Sequence, residues 1–498
     1  MSTRRQSSGL PSSHDLLAAA RASLPPGIAA WLVGGCLRDE ASGLPVKDID
    51  VVVESAVEEF SRSLADRLGG GAYMASDAFG AWRVVVGELH VDVASLRDAA
   101  EARLGGGSHD RLTGDLLARD FTVDAMAQPL AGGALIDPLG GRDDLRAHRL
   151  RLCSPAALDD DPLRVLRLAR LARGHGLAPD AQALAAAFGA APGLARVSGE
   201  RLRDELSLLL ALKDNASALR DLAAWGALAV VLPEVDELKG VGQNEYHHRD
   251  AFEHTLEALG YVRGVVEQLG GREYLASPAE AGLPGAGPLA PVSWAVLLHD
   301  IGKPEARAVD GDGRIAFWYH DEIGSRMAGA IARRLRMSSR FSSYLSTLVR
   351  QHLRLGFLVR EQPLTRRALT RYRRAVSPWV FESVVVSLCD RLATRGGKTS
   401  HVSIARHYRL ARSMWATVSK EPVPRLLSGE DVMELFDLPP GPAVGLALHA
   451  LEEEVGAGEI TTAAEARVFL RDWRPAHESD GPTADAAGGP MRDGDAAG

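Results

Sequence analysis

Cysteine is nearly absent from this 498-residue chain: Cys36, Cys153 and Cys389 are far apart in sequence. That scarcity excludes a disulfide framework and a thiolate metal knuckle, and it fits reduced thiols in a cytoplasmic protein. No apolar run reaches the ~18 residues that a membrane-spanning helix needs. Met1 to His14 is polar, without the apolar core of a signal peptide. No membrane partner is expected. Net positive charge is lacking too. The formal charge is −8, which argues against a general polyanion binder and shifts attention to where the charges lie. Lysine is scarce, and acids nearly vanish from one stretch. Between Arg333 and Arg374, arginine occupies 333, 334, 336, 340, 350, 354, 360, 366, 367, 371, 373 and 374, against the single acid Glu361. Two readings of this stretch stand side by side: a surface for a phosphate backbone, or a solvated helix face in an arginine-rich chain.

The chain is too long for one core, and its 46% hydrophobic content is ordinary for a globular protein. Residues 1–13 and the Gly/Ala/Asp-rich tail 477–498 are expected to be disordered. Residues 14–150 mix helical segments with β-branched runs at Ile28 to Val33, Asp48 to Val53, Trp82 to Val86 and His90 to Ala94. From Pro162 onward helical periodicity dominates, with Leu163, Leu166, Ala169 and Ala172 on one face and Leu202, Leu206 and Leu209 on another. Leu269 to Pro291 reads as a loop within the helical half. The fold class expected is α+β: an α/β head followed by an all-helical body.

The most informative stretch is Gly34-Gly35-Cys36-Leu37-Arg38-Asp39, followed by Asp48-Ile49-Asp50. Glycines let backbone approach phosphate with no Cβ in the way. Residues two apart on a strand point to one face, so Asp48 and Asp50 present paired carboxylates, the hard oxygen ligands that Mg²⁺ prefers. Either element alone is a weak signal. Together they suggest nucleotidyl transfer by two metal ions. They resemble the nucleotidyltransferase signature of the DNA polymerase beta superfamily, and more narrowly the class II tRNA nucleotidyltransferase (CCA-adding enzyme) and bacterial poly(A) polymerase family. The resemblance implies Mg²⁺ on Asp48 and Asp50, with Gly34, Gly35 and Arg38 at the nucleotide.

Further elements carry the resemblance along the chain. Asp92-Val93-Ala94-Ser95-Leu96-Arg97 is similar to the family's third-acid element, which implies a catalytic Asp92. Ala118-Arg119-Asp120-Phe121-Thr122-Val123-Asp124-Ala125 is similar to its Arg-Arg-Asp-Phe-Thr-x-Asn-Ala element and implies nucleotide contacts from Arg119 and Asp120. Ala118 and Asp124 depart from that pattern. Asp160-Asp161-Pro162-Leu163-Arg164 looks like a helix start. Asp161 and Arg164, three apart, are either a helix cap with an ion pair or an acceptor and a donor fork reading a base edge. The resemblance to the family's Glu-Asp-x-x-Arg template implies the latter, with Arg167 alongside. Glu200-Arg201-Leu202-Arg203-Asp204-Glu205 is similar to a helix expected to brace that template.

A second set follows. His254, His299-Asp300, His320, His352 and Asp390 occur in the order His…His-Asp…His…His…Asp. This ordered set, with Ile301-Gly302-Lys303, resembles HD-type phosphohydrolases and implies a divalent metal site. Imidazoles and carboxylates suit Ni, Mn, Co, Fe or Zn, with Mg²⁺ also possible. Asp300 is placed to bridge two ions. His247, His248 and Asp250 lie just upstream and are candidates for supporting contacts.

The resemblance runs from about 25 to 473. It implies a nucleotidyltransferase head at 14–150, a helical neck for base selection and RNA binding at 151–240, an HD domain at 241–410 and a helical C-terminal region at 411–476. The activity implied is template-independent addition of C, C and A to tRNA from CTP and ATP. The partners implied are the tRNA acceptor arm, CTP and ATP, with no DNA, and the chain is expected as a monomer or homodimer. Alternatives stay open: an A-adding or CC-adding enzyme, a poly(A) polymerase, a chain acting mainly as a 2′,3′-cyclic phosphodiesterase or phosphatase, or a binding protein with both sites degenerate.

Overall fold

The computed structural model describes residues 13–473 apart from 45, 47, 48, 77–79, 88, 97–107, 284, 360–363 and 419–422. Asp48, Arg97 and the stretches 1–12 and 474–498 therefore lie outside the described residues. The chain divides into two compact units. One comprises 1–353 and 381–407; the other comprises 354–380 and 408–498.

The first unit opens with α1 (Ser13–Ser23), β1 (Ala30–Val33), α2 (Gly35–Ala41), β2 (Ile49–Val53) and α3 (Val57–Leu68). There follow β3 (Gly71–Ser76), β4 (Ala81–Val86), β5 (Leu89–Ser95), α4 (Ser108–Leu117) and β6 (Ala127–Pro129). The strands form one mixed sheet in the order β3-β4-β5-β2-β1-β6. Side chains alternate across it, as the two-residue strand period requires. Leu32, Ile49, Val51, Val53, Val91 and Val93 pack with Leu16, Phe60 and Leu64 of α1 and α3. Trp31, Val33 and Val52 pack on the other face with Leu112 and Leu116 of α4. Asp50 and Asp92 belong to this second face. β2 and β5 are parallel and place Asp50 directly opposite Asp92.

Helices α5 (Ala157–Asp160), α6 (Arg164–His175) and α7 (Gly199–Leu210) follow, then α8 (Ala251–Leu269) and α9 (Ala290–Leu298). Asp250 caps α8 by accepting from the Glu253 amide, worth about 1 kcal/mol. Gly270, at φ 63, ends that helix in the left-handed conformation that glycine adopts without strain. The antiparallel strands β7 (Arg307–Val309) and β8 (Ile315–Phe317) lead into α10 (His320–Arg334) and α11 (Ser339–Gln351). α13 (Val380–Ala393) carries Asp390. The body is thus helical but for short strand pairs, of which the β7–β8 hairpin is a departure from the all-helical expectation. Helix α6 also departs: it begins at Arg164, and Asp161 and Pro162 lie between it and α5.

In the second unit α12 (Arg366–Val376) packs on α15 (Pro442–Ala457), accompanied by α14 (Gly429–Phe436) and α16 (Ala463–Asp472). Ser428–Asp431 and Thr462–Glu465 form capping boxes at α14 and α16. The arginine-rich stretch falls across both units. In the first, Arg334 pairs with Glu234, and Arg350 with Asp321 and Glu322. In the second, Arg367 pairs with Glu454, and Arg371 with Glu453. These guanidinium groups face acids of their own chain, which favours the solvated-helix reading for them.

Candidate active site and a buried histidine–aspartate cluster

In the head, the loop after β1 supplies Gly34 at φ 76. A Cβ there would lie 3.0 Å from an Arg119 nitrogen and 3.1 Å from Asp50 Oδ2. The missing side chain leaves a cradle with a carboxylate on one side and a guanidinium on the other. That is the donor set a triphosphate carrying a divalent ion requires, so the residues fit Mg²⁺ at Asp50. Asp92 stands beside Asp50 in register, and both its oxygens accept from Arg83, at 2.6 and 2.7 Å. The sequence alone gives Arg83 no role. The register of β4 against β5, which sets Arg83 opposite Asp92, is the signal that finds it.

Arg38 is buried. Its guanidinium donates to Asp39 and, at 2.6 Å, to Asp124 Oδ1. Asp120 accepts from Arg167 Nε at 2.6 Å and from the Phe121 amide. Burial opposes ionisation of Asp120, but Arg167 and Arg164 hold its carboxyl below the usual range. Burial dominates at Asp124 and, with Asp120 nearby, pushes its carboxyl up despite Arg38. Arg38, Asp120 and Arg167, expected at the nucleotide, are therefore locked to one another's neighbours. They tie α2 to the Thr122–Asp124 turn and to α6. The departure at Asp124 places a carboxylate where Arg38 needs one.

Asp161 and Arg164 line one cavity of about 310 Å³ with Asp115, Arg119, Asp120, Leu163, Arg167 and Arg201. Asp161 Oδ2 accepts from Arg201 at 2.6 Å. Arg164 donates to the carbonyls of Ala157 and Ala118, both at 3.0 Å. Helix α7 supplies Arg201 and Glu205, and Glu205 pairs with Arg170 of α6. It braces this region from the flank, as its similarity to the family helix implies.

The six residues of the second set meet inside the first unit. Asp300 Oδ2 lies 3.1 Å from His299 Nε2 and 3.5 Å from His254 Nε2; its Oδ1 lies 3.5 Å from His320 Nε2 and 3.8 Å from His352 Nε2. Asp390 reaches His254 at 3.1 Å. The two candidate ligand groups, His254-His299-Asp300 and Asp300-His320-His352, thus share Asp300. His299, His320 and His352 each donate Nδ1–H to the carbonyl three residues earlier, at 2.7–2.8 Å. A carbonyl only accepts, so Nδ1 carries a proton in each, and Nε2 is the nitrogen turned inward toward Asp300. Asp300 Oδ2 lies between His299 Nε2 and the Lys303 ammonium, and Oδ1 faces His320 and His352. Buried imidazole nitrogens turned toward one shared carboxylate are a donor set that fits divalent cations.

Burial, with His320 and His299 beside it, pushes His352 down to about 4, which keeps it neutral as a ligand must be. Burial opposes ionisation of Asp300, but His299, Lys303 and His254 hold it well below the usual carboxylate range. Lys303 bonds Asp300 at 2.6 Å and Gln243 at 2.5 Å. His247 packs edge-on against His254, while Asp250 is occupied as a helix cap.

The head fold and its cradle define a nucleotidyltransferase-type domain. Residues 30–151 match the Poly A polymerase head domain, and 176–239 match a probable RNA and SrmB-binding site of polymerase A. An A-adding tRNA nucleotidyltransferase of Deinococcus radiodurans is 36% identical over 90% of this chain and 96% of its own. A CC-adding tRNA nucleotidyltransferase of Thermus thermophilus is 35% identical over 90% and 95%. A Bacillus stearothermophilus CCA-adding enzyme in complex with CTP shares the fold, with TM-score 0.59 and 22% identity over 92% of this chain and 95% of its own. The chain belongs to the class II tRNA nucleotidyltransferase and poly(A) polymerase family. Among the described residues no helix is long and apolar enough to cross a membrane.

Proposed function

We propose that the chain adds C, C and A to the 3′ end of tRNA from CTP and ATP in the cytoplasm, without a nucleic-acid template. The observation that carries this reading is Gly34 held open between Asp50 and Arg119, beside the cavity of Asp161 and Arg164. Asp48 and Asp50 would hold two Mg²⁺ ions, which supply charge neutralisation at the triphosphate and acidity at the attacking hydroxyl. Gly34, Gly35 and Arg119 receive the phosphates. Asp92, fixed by Arg83, orients the tRNA 3′-hydroxyl. The hydroxyl gives up its proton to solvent as its oxygen bonds to the α-phosphorus; the bond from that phosphorus to the oxygen bridging to the β-phosphate breaks, and pyrophosphate leaves. Asp161 and Arg164 read the base edge, while Arg38, Asp120 and Arg167 hold the turn and α6 in place. The modules 14–150, 151–240, 241–410 and 411–476 serve as head, base-selecting neck, phosphohydrolase and C-terminal region.

A second reading has its own support. Relatives matched along nearly their whole length are named for only part of the triplet, A-adding in one case and CC-adding in two. Labelled CTP or ATP and tRNAs ending before CCA, after C and after CC separate the readings. Ordered addition of all three nucleotides to the first tRNA supports the full activity. Incorporation of A onto the CC-ended tRNA alone makes an A-adding enzyme, and C without A a CC-adding one. Long A tails on unrelated RNA would mean poly(A) polymerase, and no incorporation would overturn the transferase reading.

The histidine–aspartate cluster we assign as an HD phosphohydrolase site. Divalent ions there would supply Lewis acidity to a phosphate ester and to water. Water oxygen adds to phosphorus, one P–O ester bond breaks, and the leaving oxygen takes the proton. Asp50→Ala should abolish CMP and AMP incorporation yet spare phosphatase turnover. If His299→Ala abolished both activities, the two-site reading would fall.

A further inference from the structure

Two aromatic side chains stand beside the cluster with no part in it. Trp318 and Tyr319 are 71% and 72% exposed, among the most exposed large apolar side chains described. They occupy the turn between β8 and α10, directly before His320. Consecutive Cα atoms are about 3.8 Å apart, so both arise within about 8 Å of the His320 backbone. Tyr319 has φ 61, a left-handed conformation that a bulky side chain adopts only with strain. Such strain persists where the surroundings impose it and gathers at functional sites. The turn is anchored from below. His320 donates to the Phe317 carbonyl, and the Lys303 ammonium lies 5.4 Å from the Phe317 ring centroid while bonded to Asp300.

We infer that Trp318 and Tyr319 form a base-stacking subsite, so that the adjoining cluster selects phosphate esters of nucleotides and RNA 3′ ends over base-free esters. The inference rests on the phosphohydrolase reading and adds to it two specificity-determining side chains. A nucleotide carries an aromatic base one sugar away from its phosphate. An ester held at the cluster would therefore project its base toward a neighbouring surface. Exposed aromatic rings accept any base through its π-face, which gives affinity without sequence preference. The same chain's proposed transferase works on RNA 3′ ends, so such ends are brought to it.

The test compares hydrolysis of adenosine 2′,3′-cyclic phosphate with that of glycerol 1,2-cyclic phosphate by the full chain loaded with Mn²⁺. Base–aromatic stacking is worth ~1–3 kcal/mol per base. Trp318→Ala and Tyr319→Gly should therefore each lower the preference for the nucleotide, in kcat/KM, by about 5- to 150-fold, mostly through KM. Tyr319→Gly relieves the left-handed strain, so it should melt no lower than the parent, and misfolding cannot account for its loss. Equal losses on both substrates would make the pair a prop for the metal site and overturn the inference. An unchanged ratio would leave the rings to some other contact and overturn it too. If the unaltered protein hydrolyses neither ester, the phosphohydrolase reading fails first and the subsite with it.

Discussion

The cluster depends on a close approach at Gly302. A Cβ built there would lie 2.1 Å from the His320 carbonyl oxygen and 2.6 Å from the Gly324 amide nitrogen. Both are backbone atoms of α10, so no flexible side chain can give way. Real Cβ contacts essentially never fall under 3.0 Å, so in Gly302→Ala the first turn of α10 must retreat by about 0.9 Å. That turn carries His320, whose Nε2 lies 3.5 Å from Asp300 Oδ1. Overpacking of this kind costs about 1–3 kcal/mol. A misplacement of about 1 Å lowers turnover by about 10²-fold. The expected result is a protein that folds with a slightly lower melting temperature, binds less metal, and loses about 100-fold in phosphohydrolase turnover. Its nucleotide transfer should continue at the parental rate. Metal content after dialysis, turnover with Mn²⁺ and CMP incorporation are the three measurements. Gly311→Ala is the matched control, since its added methyl meets nothing within 4 Å. Unchanged metal content and turnover in Gly302→Ala would refute the idea that this contact sets the position of His320.

Three further outcomes are expected. Burial raises the Glu382 carboxyl from its ordinary 4.5 to about 7. The folded protein therefore holds this proton more tightly, and stability falls as pH rises from 4.5 to 7, by about 3 kcal/mol. Glu382→Gln should flatten that part of a urea-denaturation pH series, and an unaltered slope would exclude Glu382 as its source. Arg38→Met leaves the buried Asp124 carboxylate without its 2.6 Å partner. We expect a loss of about 3–5 kcal/mol; a loss under 1 kcal/mol would show that Arg38 does not hold the turn. Arg201→Ala releases Asp161 from a 2.6 Å bond. Discrimination against UTP and GTP should fall about tenfold, the scale of one hydrogen bond to a charged group, and unchanged selectivity would detach Arg201 from base choice.

Much of this architecture is legible in the sequence because it lies in local patterns. Ile49 to Val53 forms the strand its β-branched run predicts, and Asp50 falls on the face opposite Val51. The six histidines and aspartates meet because they sit at helix ends and on helix faces that bury them together. Other features depend on distant pairings. Arg83 meets Asp92 only through strand register. Arg38 meets Asp124 across 86 residues. Asp161 and Pro162 carry a plausible helix-start signal, yet Asp161 closes α5 in an extended conformation and α6 waits until Arg164. Propensity names a boundary there; tertiary contacts move it. Nothing local marks Trp318 and Tyr319 as exposed, since exposure is a property of what fails to cover them.

The route of the chain gives the cluster a mechanical role as well as a chemical one. His352 is contributed just before the chain leaves for the second unit at Arg354, and Asp390 comes soon after its return at Phe381. Asp300 is common to both candidate ligand groups, so ions there would fasten the segments of His254, His299, His320 and His352 to one another within the first unit. Chelation would therefore cost that unit stability as well as chemistry.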